Sequence, residues 1–340
     1  MSPLADVVVV GAGPAGMAAA IVCAEAGLRT VLCERALAPR AVPAESLHPG
    51  CEALLDRLGV GEAFRGAGWP RFPGIRVAGR FDPFGQDERG PWLGFHVARD
   101  RFERLLEARA TALGVEVLRG VTARGPRLDG GRVAGVTLAE GEIAARWVID
   151  ASGRRHWSEE ALSLRRRLLS SPLIAWRGEA AGVEPEQDSA ARFEPYGQGW
   201  LWTARIGEAS STWTLLAPQG QPRPALPAWL AQLPSLLPRS GAEVGWRVLR
   251  PLARPGLFLA GDAAAVFDPA AGQGVLFALH SGITAAMALR ACREQPRLEA
   301  LHLATYDDWV MRQVEYKAHG LRELYRSLGI TAVEDGTQAR

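Results

Sequence analysis

The chain has 340 residues, 48% hydrophobic and 22% charged, with a formal net charge of +2. That composition supports a sizeable core in two domains, or in one large domain carrying an insertion. It gives no electrostatic footprint for nucleic acid or for an anionic membrane surface. The four cysteines, Cys23, Cys33, Cys51 and Cys292, show neither C-x-x-C nor metal-ligand spacing. No metal site is therefore expected, and the pattern fits a reducing, cytoplasmic setting. No export leader is visible, and no apolar stretch reads as long and charge-free enough to span a bilayer. Lys317 is the single lysine among the basic residues.

The first predicted elements form one unit. The β-branched run Val7-Val8-Val9-Val10 leads directly into Gly11-Ala12-Gly13-Pro14-Ala15-Gly16. A small-residue helix over 17–26 follows, then a strand over 29–33 that stops at Glu34. Strand, glycine turn, helix, strand and acid in this order form a dinucleotide-binding βαβ unit. Gly11 permits the tight turn, Gly13 lets a pyrophosphate approach the backbone, and Gly16 lets helix and strand pack closely. The helix start offers free N–H groups and about half a positive charge to phosphates. Glu34 stands where a carboxylate takes both ribose hydroxyls and repels a 2′-phosphate. This motif leaves NAD and FAD both open.

After Glu34-Arg35 comes a loop containing Ala44-Glu45-Ser46-Leu47-His48-Pro49, then a helix over 51–58 and a glycine-rich loop over 61–73. Strands are expected at 74–80 and 92–97, an amphipathic helix at 99–113 and a strand at 115–118. Asp129-Gly130-Gly131-Arg132 reads as a hairpin turn between strands over 121–128 and 133–138. A buried strand over 146–150 runs into Ala151-Ser152-Gly153. Residues 156–247 change character, holding most of the tryptophans and strands at 173–181, 191–195, 199–206 and 211–216. A proline-rich segment and a short helix over 228–237 close this mostly antiparallel insertion. Trp200 and Trp202 share one face by their spacing. The α/β pattern then returns with a strand at 256–260, Gly261-Asp262, and Gly272-Gln273-Gly274 opening a helix to 293. A last helix spans 298–328, with a break expected near Gly320. The expected domains are a discontinuous dinucleotide-binding domain (1–73, 97–155, 248–297), a substrate domain (74–96, 156–247) and a helical end (298–340).

The second glycine signature chooses the cofactor. A strand ending in Gly261-Asp262 offers a carboxylate to a ribityl hydroxyl. A helix start at Gly274 then points N–H groups at a flavin ring, where negative charge gathers on reduction. Residues 256–264 with Pro269-Ala270-Ala271-Gly272-Gln273-Gly274 resemble the flavin-binding end of FAD-dependent monooxygenases of the para-hydroxybenzoate hydroxylase type. The resemblance implies a Rossmann-like, three-layer FAD-binding domain of the glutathione-reductase type. Its cofactor set comprises Gly11, Gly13, Ala15, Gly16, Glu34, Arg35, Arg99, Val121, Asp262, Gly272, Gln273 and Gly274. Within that set Arg99 matches a position that contacts FAD, and Val121 one whose backbone meets adenine.

Asp150-Ala151-Ser152-Gly153 resembles the branch holding tryptophan halogenases, geranylgeranyl reductases and protein-modifying flavoproteins. Residues 44–49 are similar to the Gly-Glu-x-x-x-Pro loop of that branch. Residues 195–202 resemble both the W-x-W motif of halogenases and the P-x-x-Y-x-W motif of prenyl reductases. Two departures argue against halogenation: Arg205-Ile206-Gly207 replaces the closing Ile-Pro, and Lys317 lies far along the last helix, away from the expected tunnel. The reading is oxygen activation on reduced FAD, acting on an aromatic small-molecule or peptide-borne substrate, with Glu45 and His48 as polar groups near the flavin. Only one G-x-G-x-x-G is present, so electrons are expected from NAD(P)H or a partner flavin reductase. Two alternatives stay open: reduction of a prenyl chain, or a flavoprotein maturation partner without turnover. Arg165-Arg166-Arg167 reads as a solvated face or a receiver for an acidic or carrier-bound substrate.

Overall fold

The central strand β1 (Ala5–Val10) is almost wholly buried, which is why it is apolar on both faces from Val7 to Val10. The structure is a computed structural model that describes residues 5–39, 41–184 and 188–333. β1 pairs in parallel with β2 (Thr30–Glu34) on one side and with Glu142–Asp150 on the other. Glu116–Arg119 extends the sheet beyond β2, and Leu257–Leu259 extends it beyond Asp150. All five strands run parallel, so their carboxyl ends form one edge, the place where such sheets bind ligands. The first half of Glu142–Asp150 instead pairs antiparallel with Arg132–Thr137, which returns to Gly125–Asp129.

Helix α1 (Pro14–Glu25) packs against the helix Gly274–Glu294. The approach is close because a Cβ on Gly282 would stand 2.2 Å from the Ala15 carbonyl oxygen. Contrary to expectation, Gly274–Glu294 is long and apolar enough to cross a bilayer by length and composition, with 56% of its most apolar window buried. The fold uses that apolarity internally: this helix packs against α1 and the last helix, Glu299–Ser327.

The second large sheet has seven strands, in the order Ser240–Glu243, Leu173–Ala181, Ser210–Pro218, Gly199–Gly207, Ala191–Tyr196, Gly74–Val77, Arg80–Pro83. Every pairing is antiparallel except that of Ala191–Tyr196 with Gly74–Val77. Trp200 and Trp213 are buried in it. Arg165–Leu168 is an exposed strand beside Arg247–Arg250, as a solvated arginine face requires.

Several local expectations change. Residues 61–73 contain a helix, Gly61–Gly66, and a strand, Arg71–Phe72, because Phe64 buries its ring against Trp69, Phe95 and Phe102. The strand expected from 92 begins at Gly94. It pairs with Arg71–Phe72 and with β3 (Glu45–Leu47), a segment expected to be loop. The last helix runs unbroken through Gly320, since the buried stripe Val314, Ala318, Leu321 and Tyr325 continues on both sides of it. All four cysteines are free and buried. Among the described residues no His, Cys, Asp and Glu cluster could hold a metal.

Candidate cofactor and active site

A cleft lies along the carboxyl edge of the parallel sheet. At one end it opens into a cavity of about 410 Å³ lined by Val10, Gly11, Cys33, Glu34, Arg35, Val121, Thr122, Ala123, Ser152, Arg155 and Trp157. Glu34, at the end of β2, accepts the N–H of Ala12 at 2.9 Å and of Ala36 at 2.8 Å. The glycine turn is thereby tied to the acid that follows the second strand. The Val121 N–H donates to the Glu34 carbonyl, which draws Val121 to the same wall.

The glycines divide by role. Gly11 has φ +105°, and a Cβ there would lie 2.4 Å from the Ala151 carbonyl oxygen; one on Gly16 would lie 1.9 Å from the Gly11 carbonyl oxygen. Both are required by the fold. No atom lies within 4 Å of a Cβ built on Gly13, Gly272 or Gly274, so those backbones are bare toward a ligand. Ala15 packs against Gly261 and Gly282, holding the two glycine signatures together.

Midway along the cleft the charges converge. Glu45 Oε1 lies 3.1 Å from Arg99 Nη1 and 3.0 Å from Arg177 Nη1. Arg99 also meets Glu103 at 2.7 Å, and Arg154 stands 4.0 Å from Asp262. Burial pushes the Glu45 pKa up, but Arg99 and Arg177 outweigh it and hold the carboxyl below its usual range. Glu45 is therefore an ionised clamp between segments rather than a proton carrier. Enclosure by the cleft walls raises the Asp262 pKa, partly offset by Arg154 and Arg99. Asp262 is thus in electrostatic reach of Arg99 and Glu45, and Ala15 of the first glycine signature packs against Gly261 of the second.

At the far end, His48 accepts the Gly50 N–H at 3.0 Å. Burial and then Lys317 lower its pKa, so it stays neutral. Lys317 corrects the expectation that no lysine reaches this end. Its Nζ donates to Gln273 Oε1 at 2.5 Å, because the last helix runs back along Gly274–Glu294. Sequence reasoning also missed Arg154, Arg155, Trp157 and Arg177. The first three follow Asp150-Ala151-Ser152-Gly153 directly, and that adjacency was their signal. Arg177 had none, since it arrives on a strand 132 residues from Glu45.

FAD fits this groove. Its adenosine end would be the cavity beside Glu34, where the buried Trp157 Nε1 has no partner among the described residues. Its middle carries Arg99 and the start of α1, suited to a pyrophosphate. Its far end has Asp262 and the bare turn at Gly272 and Gly274, suited to a ribityl chain and a ring.

Residues 4–196 match the family model described as FAD binding domain, and the chain belongs to that family. A tryptophan 2-halogenase from Chondromyces crocatus is 28% identical, aligned over 84% of this chain and 61% of its own length. The chain thus spans less than two thirds of that relative. A menaquinone reductase from Mycobacterium tuberculosis is 31% identical over 83% of this chain and 76% of its own. A digeranylgeranylglycerophospholipid reductase from Thermoplasma acidophilum is 25% identical, over 92% and 84%. Among solved structures, the myxobacterial halogenase CndH superposes with a TM-score of 0.84 at 21% identity, covering 98% of this chain and 84% of that one. The chain is an FAD-dependent oxidoreductase whose relatives divide between halogenases and reductases of menaquinone or prenyl chains.

Proposed function

We propose that the protein is an FAD-dependent monooxygenase that hydroxylates an aromatic substrate, either a small molecule or a residue in a peptide. The observation that supports this reading is an aromatic cluster that starts at His48, in the loop beside Gly50, and continues into the large sheet. His48 meets Phe84 edge-on at 5.3 Å, Phe84 meets Phe72 at 5.2 Å, and Phe72 stacks on His96 at 4.3 Å. Phe72 packs in turn with Ala191, Ala204 and Trp202 of the large sheet. Clustered flat rings at this end favour a flat ring over a flexible prenyl chain. Buried His96 Nε2 has no partner among the described residues.

Reduced FAD supplies the oxygen-activating chemistry. The chain's own residues bind the substrate, exclude water and fix its orientation. Glu45 holds Arg99 and Arg177 in place, and neutral His48 offers a hydrogen-bonding nitrogen. Electrons come from NAD(P)H or from a partner flavin reductase.

The test is to supply reduced FAD, ¹⁸O₂ and a panel of indoles and phenols, free and peptide-borne. A product heavier by one labelled oxygen supports the reading. Saturation of a prenyl alkene with no oxygen uptake overturns it. Halogenation is a second reading, favoured by the lysine at Gln273; the same reaction run in chloride and bromide separates it by product mass.

A further inference from the structure

Lys317 is the chain's only lysine, and the fold buries it to 9% exposure. Its Nζ holds Gln273 Oε1 and lies 5.9 Å from the centre of the Phe277 ring. Burial pushes its pKa down to about 8, and no carboxylate among the described residues offsets that. The titratable groups facing it are His48, from the loop after β3, and His280, on the helix Gly274–Glu294. Burial and then Lys317 lower the pKa of both. No acid faces it from any of these elements.

A buried ammonium costs several kcal/mol unless an anion compensates it. One amide oxygen and one aromatic face are partial compensation. The start of the 21-residue helix Gly274–Glu294 adds about half a positive charge at the same place. The turn beneath is bare at Gly272 and Gly274. Positive charge is thus gathered, without a counter-charge among the described residues, over the surface assigned to the flavin ring.

We infer that Lys317 is the counter-charge for reduced FAD, holding the ring as its monoanion at the Gly272-Gln273-Gly274 turn. The balance is simple. A hydride equivalent, two electrons and one proton, passes from a reduced nicotinamide or reduced-flavin donor to the neutral oxidised ring and leaves one negative charge on it. The donor is oxidised by two electrons. The inference rests on the FAD assignment and deepens the oxygen-using reading.

A single lysine makes the test direct, because ¹³C,¹⁵N-lysine labelling yields the spectrum of one side-chain amine. In the FAD-bound protein, reduction should raise the titration midpoint of that amine by at least one pH unit. Lys317→Met should bind oxidised FAD as wild type does and reduced FAD at least tenfold more weakly, lowering the two-electron potential by about 30 mV. Lys317→Arg should restore most of the shift. The inference is overturned if the wild-type midpoint does not move on reduction, or moves equally when an aromatic carboxylate is added to the oxidised protein. An unchanged potential in a Lys317→Met protein that retains FAD also overturns it. The labelled-lysine readout uses the wild-type chain, so it stands even if the variant misfolds. Neither readout needs turnover: absent oxygen transfer with these shifts present sinks only the proposed function, and the converse sinks only the role of Lys317.

Discussion

Tyr325 donates its hydroxyl hydrogen to Asp268 Oδ2 at 2.7 Å, joining residues 57 positions apart. The same carboxylate accepts Trp246 Nε1 at 2.5 Å and the Ala270 N–H at 2.8 Å. Trp200 Nε1 in turn donates to the tyrosine oxygen at 2.6 Å. One buried acid therefore ties together the last helix, the large sheet and the turn that ends at Gly272. Tyr325→Phe removes a charge-assisted donor and strands the Trp200 N–H. It should cost about 1.5–3 kcal/mol, read from urea unfolding, and should weaken FAD retention. Unchanged stability would show that the network carries no weight.

Two buried groups give opposite pH dependences. Burial raises the Asp268 pKa to about 6 from 3.8, against the donors around it. The folded state then holds a proton that the unfolded chain releases, so this contribution is full below about pH 4 and lost as pH rises through about 6. Burial lowers the His96 pKa to about 4 from 6.5. Its contribution is present above about 6.5 and lost as pH falls toward 4. Each is worth on the order of 3 kcal/mol, and between pH 4 and 6 they cancel. Relative to wild type, Asp268→Asn should lose stability on acidification, and His96→Leu should gain it. Unfolding curves for the three proteins that shift in parallel between pH 4 and 6 would refute the assignment.

The glycine turn separates folding from binding. Gly13→Ala meets nothing within 4 Å and has a φ of −70°, so stability should change by no more than about 1 kcal/mol. FAD affinity should fall at least tenfold, since the methyl stands on the bare side. Gly16→Ala drives a methyl into the Gly11 carbonyl and should give insoluble or unfolded protein. Tight FAD binding by Gly13→Ala would contradict the groove.

Asp262→Ala should lower FAD content at least tenfold while circular dichroism stays unchanged, as its side chain faces the groove beside Arg154 rather than the core. Arg154→Ala is expected to weaken FAD less, because Arg99 remains. A flavin content equal to wild type in Asp262→Ala would show that the second signature does not hold the cofactor.

Much of this was legible in sequence because it is local. β1, the glycine turn, α1 and Glu34 lie in one stretch, and so do Asp262 and the turn at Gly272. In each, the backbone conformation needed at a glycine and the position of the accompanying acid are set by residues nearby in sequence. Residues 61–73 misled because glycine content outweighed Phe64, whose helix exists only through ring contacts with Phe95 and Phe102. The apolar helix Gly274–Glu294 could not reveal from composition alone whether lipid or α1 would cover it.

Read alone, the chain already pairs two glycine turns with two acids, Glu34 after the first and Asp262 before the second. Only the tertiary structure decided that both turns face one groove, that Arg177 reaches Glu45 from another sheet, and that the lone lysine ends beside Gln273. The reason is physical: turn geometry is written in adjacent residues, whereas burial and charge pairing depend on what the folded chain brings from far away.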